Sequence, residues 1–298
     1  MSLEVKEILK IAEARLFEAG CDESKLHAEE LLCFLMEFEK SKLFFRWNDV
    51  LSEKSCEAYF DLVDIRASRK PLQYITGVQE FMGIGFEVDE RVLIPRFDTE
   101  TLVTAVLDFM KNEKTPAGGW KALEIGTGSG AIAVSLCKNS DDVKVTATDI
   151  SADAISAAKK NAASAGVSGR IKFIESDMFS AFKPGITGAK FNIIISNPPY
   201  IRSGDIEKLQ PEIREHEPVL ALDGGEDGLR AYRSISESAH LYLKKKGVIF
   251  LEIGYDQAEA VGSLPGITEH FTDVRIFKDL GECDRVFAAR LQDKRKEK

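Results

Sequence analysis

The chain has 298 residues, 44% of them hydrophobic and 30% charged, close to the average for a soluble globular protein. That length suits one large α/β domain with a smaller companion, and a core that needs no disulfide or metal staple. The 40 Lys and Arg against 49 Asp and Glu leave a formal charge of −9, which argues against tight, sequence-independent binding to duplex DNA.

The five cysteines (Cys21, Cys33, Cys56, Cys137 and Cys283) form no CxxC pair, and the four histidines match no zinc spacing. Reduced thiols and a metal-free, cytoplasmic protein are expected. MSLEVKEILK lacks the apolar stretch of a signal peptide, and no apolar run approaches the roughly 20 residues of a membrane helix.

Residues 1–75 read as a small helical bundle. Leu3, Ile8, Ile11 and Ala12 recur at three- and four-residue steps, as do Leu26, Leu31, Phe34 and Leu35. Gly20 closes the first helix, Asp22 or Ser24 is a candidate cap for the second, and Ser52 for a third whose stripe is Cys56, Tyr59, Phe60 and Val63. Before Pro71 this segment carries 15 Asp and Glu against 11 Lys and Arg, a balance that suits a basic protein surface.

Residues 76–95 change texture: Gly77, Gly83 and Gly85 interrupt short apolar runs, which predicts a β-hairpin linker. A helix follows from about Thr99. From Trp120 the alternation is regular: WKALEIG strand, SGAIAVSLCKN helix, KVTATD strand, an Ala-rich helix to Gly166, then strands RIKFIESD and FNIIISN. A helix around 226–244, the strand GVIFLEIG, a helix around 256–262 and two closing strands complete the pattern. Residues 96–298 therefore predict a Rossmann-like, seven-stranded, mostly parallel sheet covered on both faces, with the last two strands antiparallel. The basic run KRKEK at 294–298 reads as a frayed end.

Three motifs carry chemistry. Glu124-Ile125-Gly126-Thr127-Gly128-Ser129-Gly130 is a strand running through a Gly-rich turn into a helix, where backbone approaches a ligand closely. Its GxGxG spacing differs from the GxGxxG dinucleotide fingerprint. Asp149, with Ile150 after it, ends the next strand 19 residues beyond Gly130, where a carboxylate accepts from ribose hydroxyls. Asp177 after the third strand suits an adenine amino group, with Met178 packing on the ring.

Asn197-Pro198-Pro199-Tyr200 comes directly after the buried run FNIIIS. Two prolines stiffen the loop and lack N–H donors. The Asn197 side-chain oxygen and the Pro198 carbonyl then both accept from one planar NH2 group, with Tyr200 as a flat stacking face. A glutamine amide and an adenine amino group both satisfy that description, so a nucleic acid adenine methyltransferase is a rival reading, as is a cofactor-sensing module without transfer.

This set resembles class I S-adenosylmethionine-dependent methyltransferases. Ile94-Pro95-Arg96-Phe97-Asp98-Thr99-Glu100, Pro211-Glu212-Ile213, Glu217-Pro218, Ala221 to Leu229, Leu251-Glu252-Ile253-Gly254 and Asp284-Arg285-Val286 narrow the resemblance to the release factor glutamine methyltransferase family. Phe97 and Cys283 depart from that family's pattern.

The resemblance implies transfer of a methyl group from S-adenosylmethionine, leaving S-adenosylhomocysteine, to N5 of the glutamine in the GGQ loop of peptide chain release factors. It implies cofactor contacts from Thr99, Glu124, Gly126, Thr127, Gly128, Ser129, Gly130, Asp149, Ile150, Asp177, Met178 and Asn197. Substrate binding and catalysis fall to Asn197, Pro198, Pro199 and Tyr200, with no metal, no membrane and no nucleic acid substrate. The helical segment becomes a substrate-recognition domain.

Overall fold

The computed structural model describes residues 2–183 and 190–293; the run at 294–298 lies outside the described residues. Two compact units form, Met1–Val78 with Gln210–His216, and Gln79–Leu209 with Glu217–Lys298.

In the first unit, β1 (Leu3–Glu4) pairs antiparallel with β2 (Val50–Leu51), beside helices α1 (Val5–Glu18), α2 (Ser24–Leu35), α3 (Glu53–Ala67) and α4 (Leu72–Thr76). Ile8, Ala12, Leu16, Leu31, Leu32, Tyr59 and Val63 form its core. Each large apolar side chain buried there contributes about 1.5–3 kcal/mol. Ile11 and Phe34, placed on the apolar stripes by periodicity, are exposed instead; Leu9 and Leu16 take the inward positions on α1.

Ser52 caps α3 as expected, accepting from the Ser55 N–H. Neither Asp22 nor Ser24 caps α2. Glu23 occupies the cap position in a left-handed conformation, and the Ser24 hydroxyl donates to the Cys21 carbonyl instead.

Residues 210–216, expected within the 96–298 domain, join this unit and carry α8 (Pro211–Arg214). The physical reason is Glu212. Its carboxylate accepts from Arg66 Nη2 at 2.8 Å and from Arg69 Nε and Nη2 at 2.7 and 2.5 Å. Burial alone would raise this carboxyl, but the Arg69 and Arg66 hydrogen bonds outweigh it and hold it down at about 2. Arg66 also donates Nε to His27 Nδ1 at 3.4 Å, and burial with that neighbouring charge pushes the His27 imidazole down to about 4.

The second unit opens with the strand pair β3 (Val78–Phe81) and β4 (Ile84–Glu87). Met82 and Gly83 between them both have positive φ, the geometry of a two-residue hairpin turn. Helix α5 (Glu100–Asn112) follows, then β5 (Trp120–Ile125), α6 (Ala131–Asn139), β6 (Val143–Asp149), α7 (Ala152–Ser164), β7 (Ile171–Glu175) and β8 (Phe191–Ser196). After α9 (Val219–Leu222) come α10 (Arg230–Tyr242), β9 (Leu243–Glu252), α11 (Ala258–Gly262), α12 (Pro265–His270), β10 (Phe271–Lys278) and β11 (Asp284–Leu291).

The seven strands β5–β11 order as β10-β11-β9-β8-β5-β6-β7. The β9-β8-β5-β6-β7 run is parallel, and β11 joins it antiparallel to both β9 and β10. The near-continuous apolar runs of β5 and β8 follow from burial on both faces. On one face Leu123, Ile125, Ile194, Ile249 and Leu251 pack with Tyr232, Ile235 and Ala239 of α10. On the other, Phe109 of α5 meets Trp120 and Phe250. Side chains alternate along a strand, so Glu124 and Glu252 share the α5 face.

Candidate active site

The parallel register brings the strand ends level: Ile125 of β5 pairs with Thr148 of β6 on one side and Ser196 of β8 on the other. The loops leaving these strands therefore meet at one edge, where ligands of open α/β sheets bind.

After β5 the chain turns through Gly126, Gly128 and Gly130, with φ of 74°, 54° and 83°. The N–H groups of Gly126 and Thr127 both donate to the Thr148 carbonyl at 2.9 Å, tying the turn to β6. Gly130 begins α6 so close to α7 that an added Cβ would lie 3.1 Å from the Ala158 Cβ.

Glu124 forms the floor of this turn. It is fully buried; Oε2 accepts from the Thr127 hydroxyl at 2.7 Å, and among the described residues Oε1 has no hydrogen-bond partner. Burial pushes its carboxyl up to about 8. Asn161, in the Ala-rich helix α7, donates Nδ2 to the carbonyls of Ser129 and Glu87 and accepts the Glu87 N–H, so the hairpin and the turn share one anchor.

Asp149 ends β6 beside the turn. Its Oδ2 accepts the Gly128 N–H and its Oδ1 the Ser151 N–H, both at 2.9 Å. Burial raises its carboxyl in spite of these bonds. Helix α7 is capped by Ser151, whose hydroxyl accepts from the Ala154 N–H, so Asp149 is spent on the turn and not on the helix. Ile150 is 48% exposed at the rim. Asp177 and Met178 lie beyond the end of β7, one strand further from the turn; Asp177 is exposed and Met178 half-buried with a φ of 45°.

The Asn197–Tyr200 loop abuts the glycine turn: a Cβ on Gly126 would sit 3.9 Å from the Asn197 carbonyl oxygen. Asn197 Nδ2 donates to the Thr99 hydroxyl at 3.1 Å. Thr99, only 4% exposed, begins α5. Pro198 is buried, and the half-buried Tyr200 ring packs on the sheet core. Burial pushes its phenol up to about 12.

The segment from 222 to 230 cradles the far end of this loop. Ile201 donates to the Leu222 carbonyl and accepts from the Gly224 N–H. A Cβ at Gly228, whose φ is 76°, would stand 2.5 Å from the Tyr200 carbonyl. Gln257 Nε2 donates to that carbonyl at 3.1 Å while its Oε1 accepts the Gly254 N–H.

Sequence reasoning assigned no role to Glu252, Arg285, Gln257 or Asn161. Glu252 ends β9 at 1% exposure. Burial pushes its carboxyl up to about 7, against the lowering influence of the Thr99 and Tyr200 hydroxyls and the Arg285 charge. Arg285 itself is occupied by Asp279, at 2.9–3.0 Å, and by Asp98 at 3.3 Å. A usable signal was present: the tetrapeptide LEIG occurs twice, at 123–126 and 251–254, each time placing a carboxylate at the end of an apolar strand. Among the described residues, no group of three or more His, Cys, Asp and Glu is arranged to hold a metal, and no helix is long and apolar enough to cross a membrane.

Two family models match the chain, the PrmC N-terminal domain over residues 7–77 and the Methyltransferase small domain over residues 102–226. The release factor glutamine methyltransferase of Clostridium acetobutylicum is 37% identical over 287 residues, 96% of this chain and 98% of its own. That of Moorella thermoacetica is 36% identical over 285 residues, again 96% and 98%. Among solved structures, a methyltransferase from Pyrococcus furiosus aligns over 70% of this chain and 89% of its own, at 21% identity and a TM-score of 0.49. On the two near end-to-end likenesses among curated proteins, the chain belongs to the release factor glutamine methyltransferase family and is a methyltransferase.

Proposed function

We propose that the chain transfers the methyl group of S-adenosylmethionine to N5 of the glutamine in the GGQ loop of peptide chain release factors. The observation that carries this reading is the abutment of the Gly126–Gly130 turn with the Asn197–Tyr200 loop at adjacent parallel strand ends. A donor cradle and an amide-holding loop must share one edge for transfer between them.

The residues present suit the donor. Backbone at Gly126 and Gly128 offers close approach, and Asp149 offers a carboxylate to ribose hydroxyls, its orientation fixed by two backbone N–H groups. Thr127, Ser129 and Glu124 shape the turn beneath, and Ile150, Asp177 and Met178 border the adenine side. When bound, S-adenosylmethionine supplies an electrophilic methyl group.

The chain's own part is to hold the amide. Its nitrogen is a weak nucleophile because the lone pair is shared with the carbonyl. Asn197 Oδ1 and the Pro198 carbonyl accept its two N–H bonds, Pro199 stiffens the loop, and Tyr200 covers the amide plane. Fixing a reactant in this way contributes several kcal/mol, up to about 7–11 in favourable intramolecular cases. As the nitrogen gains positive character both acceptor bonds strengthen, so the loop binds the transition state more tightly than the ground state.

We assign the helical segment 1–75 to recognition of the release factor, the hairpin region 76–95 to linking, and residues 96–298 to transfer, in the cytoplasm. Incubation with labelled S-adenosylmethionine tests the whole reading. Label enters a release factor and is lost when its GGQ glutamine is substituted; label in DNA and not in the release factor overturns it in favour of the adenine rival.

A further inference from the structure

We propose that Phe97, Tyr255 and Leu280 form an apolar rim around the Asn197–Tyr200 loop, against which the polypeptide flanking a release factor's target glutamine packs. This rests on the transfer reading above and adds the surface that seats the chain on either side of the held amide.

Single exposed apolar side chains are ordinary on a protein surface. These three differ in how they are held. Phe97 is 69% exposed, Tyr255 71%, and Leu280 fully so. Each stands on a segment whose neighbouring residues are fixed by hydrogen bonds or ion pairs, and each segment is tied to the Asn197–Tyr200 loop.

Phe97 lies between two anchored charges. Arg96 Nη2 donates to the Glu217 carboxylate at 2.5 Å, and the Asp98 carboxylate is 3.3 Å from Arg285 Nη2. Thr99, two residues beyond Phe97, accepts from Asn197 Nδ2 at 3.1 Å. Two residues of chain span at most about 7 Å, so the Phe97 backbone starts close to the loop.

Leu280 tips the turn between β10 and β11. Asp279 Oδ1 accepts the Gly281 and Cys283 N–H groups at 2.9 and 3.1 Å, while its Oδ2 accepts from Arg285 Nε and Nη2. Arg285 thus gathers Asp279, Asp98 and, through Nη1 at 3.4 Å, the Ile253 carbonyl after β9. Val286 pairs with Glu252, and Leu251 with Ser196, so this turn leaves the sheet at the edge where the Asn197–Tyr200 loop does.

Tyr255 follows Gly254 in a turn closed by Gln257. Gln257 Oε1 accepts the Gly254 N–H at 2.9 Å, and the Gln257 N–H donates to the Gly254 carbonyl at 3.0 Å. The same side chain donates Nε2 to the Tyr200 carbonyl at 3.1 Å. Asp256 pairs with Arg202 at 3.2 Å, just past the loop.

A large apolar side chain on an unrestrained loop folds back out of water; three anchored segments prevent that here. The exposure is built in, and side chains already held in place lose little further freedom on binding. The occupant follows from the site. A glutamine side chain is short, so holding its amide at Asn197 brings the chain that carries it onto the surrounding rim. Two glycines precede the glutamine in the GGQ loop, and backbone without a Cβ makes the closest approach to a flat ring.

Steady-state methylation of a full-length release factor by the full chain tests the proposal. Phe97→Ser, Tyr255→Ser and Leu280→Ser each raise KM for the release factor about 5- to 30-fold, and the triple variant raises it about 100-fold or more. Saturating kcat and the cofactor Kd stay within about threefold, the mark of lost binding that ground and transition states share. Phe97→Tyr retains the wild-type KM. The three side chains are exposed, so the serine variants keep the wild-type melting temperature.

Leu280→p-benzoylphenylalanine, irradiated with the release factor, locates the occupant: the cross-linked peptide contains the GGQ glutamine or abuts it. A triple variant with wild-type KM overturns the proposal, as does a cross-link to a distant segment of the release factor. A cross-link to a second copy of this chain overturns it in favour of self-association. A wild-type protein that binds the cofactor and leaves the release factor unmethylated overturns the transfer reading itself, a result visible before any variant is compared.

Discussion

Gly126 and Asn197 come directly after paired strand residues, Ile125 and Ser196, and a methyl-sized group on Gly126 would come within 3.9 Å of the Asn197 carbonyl oxygen. The Ser196 hydroxyl donates to the Ile125 carbonyl at 2.8 Å and locks the two strand ends together just before they diverge. The glycine turn and the Asn197–Tyr200 loop are thus set by one stretch of parallel ladder.

On the proposed reading, Asn197→Ala removes one of the two amide acceptors and leaves the glycine turn intact. Turnover falls by about 100-fold or more, the scale seen when a preorganised transition-state hydrogen bond is deleted, while cofactor affinity changes little. Calorimetry beside single-turnover kinetics reads the two effects separately; equal losses in both would place Asn197 with the donor instead.

Asp149→Ala has the opposite profile. It leaves the Gly128 and Ser151 N–H groups without their acceptor and, on the proposed reading, removes the carboxylate offered to the ribose. Cofactor affinity weakens by about 10- to 100-fold, as expected for hydrogen bonds to a charged group. Calorimetric titration with S-adenosylhomocysteine measures it.

Gly130→Ala tests the packing that seats the turn. The φ of 83° disfavours any Cβ, and the added methyl would meet Ala158 at 3.1–3.2 Å. Loss of about 1–3 kcal/mol in urea unfolding is expected, with weaker cofactor binding.

The first unit carries a pH signature. The folded His27 value, about 4, lies below its ordinary 6.5, so the unfolded chain binds that proton more readily and stability falls as pH drops from 6.5 toward 4. Glu212 is also depressed, from 4.5 to about 2; the stability from its arginine pair is fully present above 4.5 and lost as pH falls toward 2. Glu212→Gln weakens a largely buried pair, costing up to about 3–5 kcal/mol at neutral pH. It also flattens the acid limb below 4.5, and thermal melting across pH reads both effects.

The central strands β5, β8 and β9 were legible because they are buried on two faces and read as near-continuous apolar runs bounded by helices of a different period. A cap written in one residue, Ser52, was legible too. The α2 cap was not, because Glu23 adopts a left-handed backbone that its side chain does not advertise. The return of residues 210–216 to the first unit rests on ion pairs 143 and 146 residues apart in sequence, which leave no local pattern. Asn197 and Asp149 stood out because each terminates a strand next to a distinctive motif.

Mass spectrometry of a release factor methylated by this chain tests the central claim most directly. Fragmentation places a single added methyl group on the side-chain nitrogen of the GGQ glutamine, and Asn197→Ala sharply reduces its rate of formation. A methyl group on another residue of the release factor, or an unmodified GGQ peptide after incubation with active enzyme and cofactor, would contradict the account.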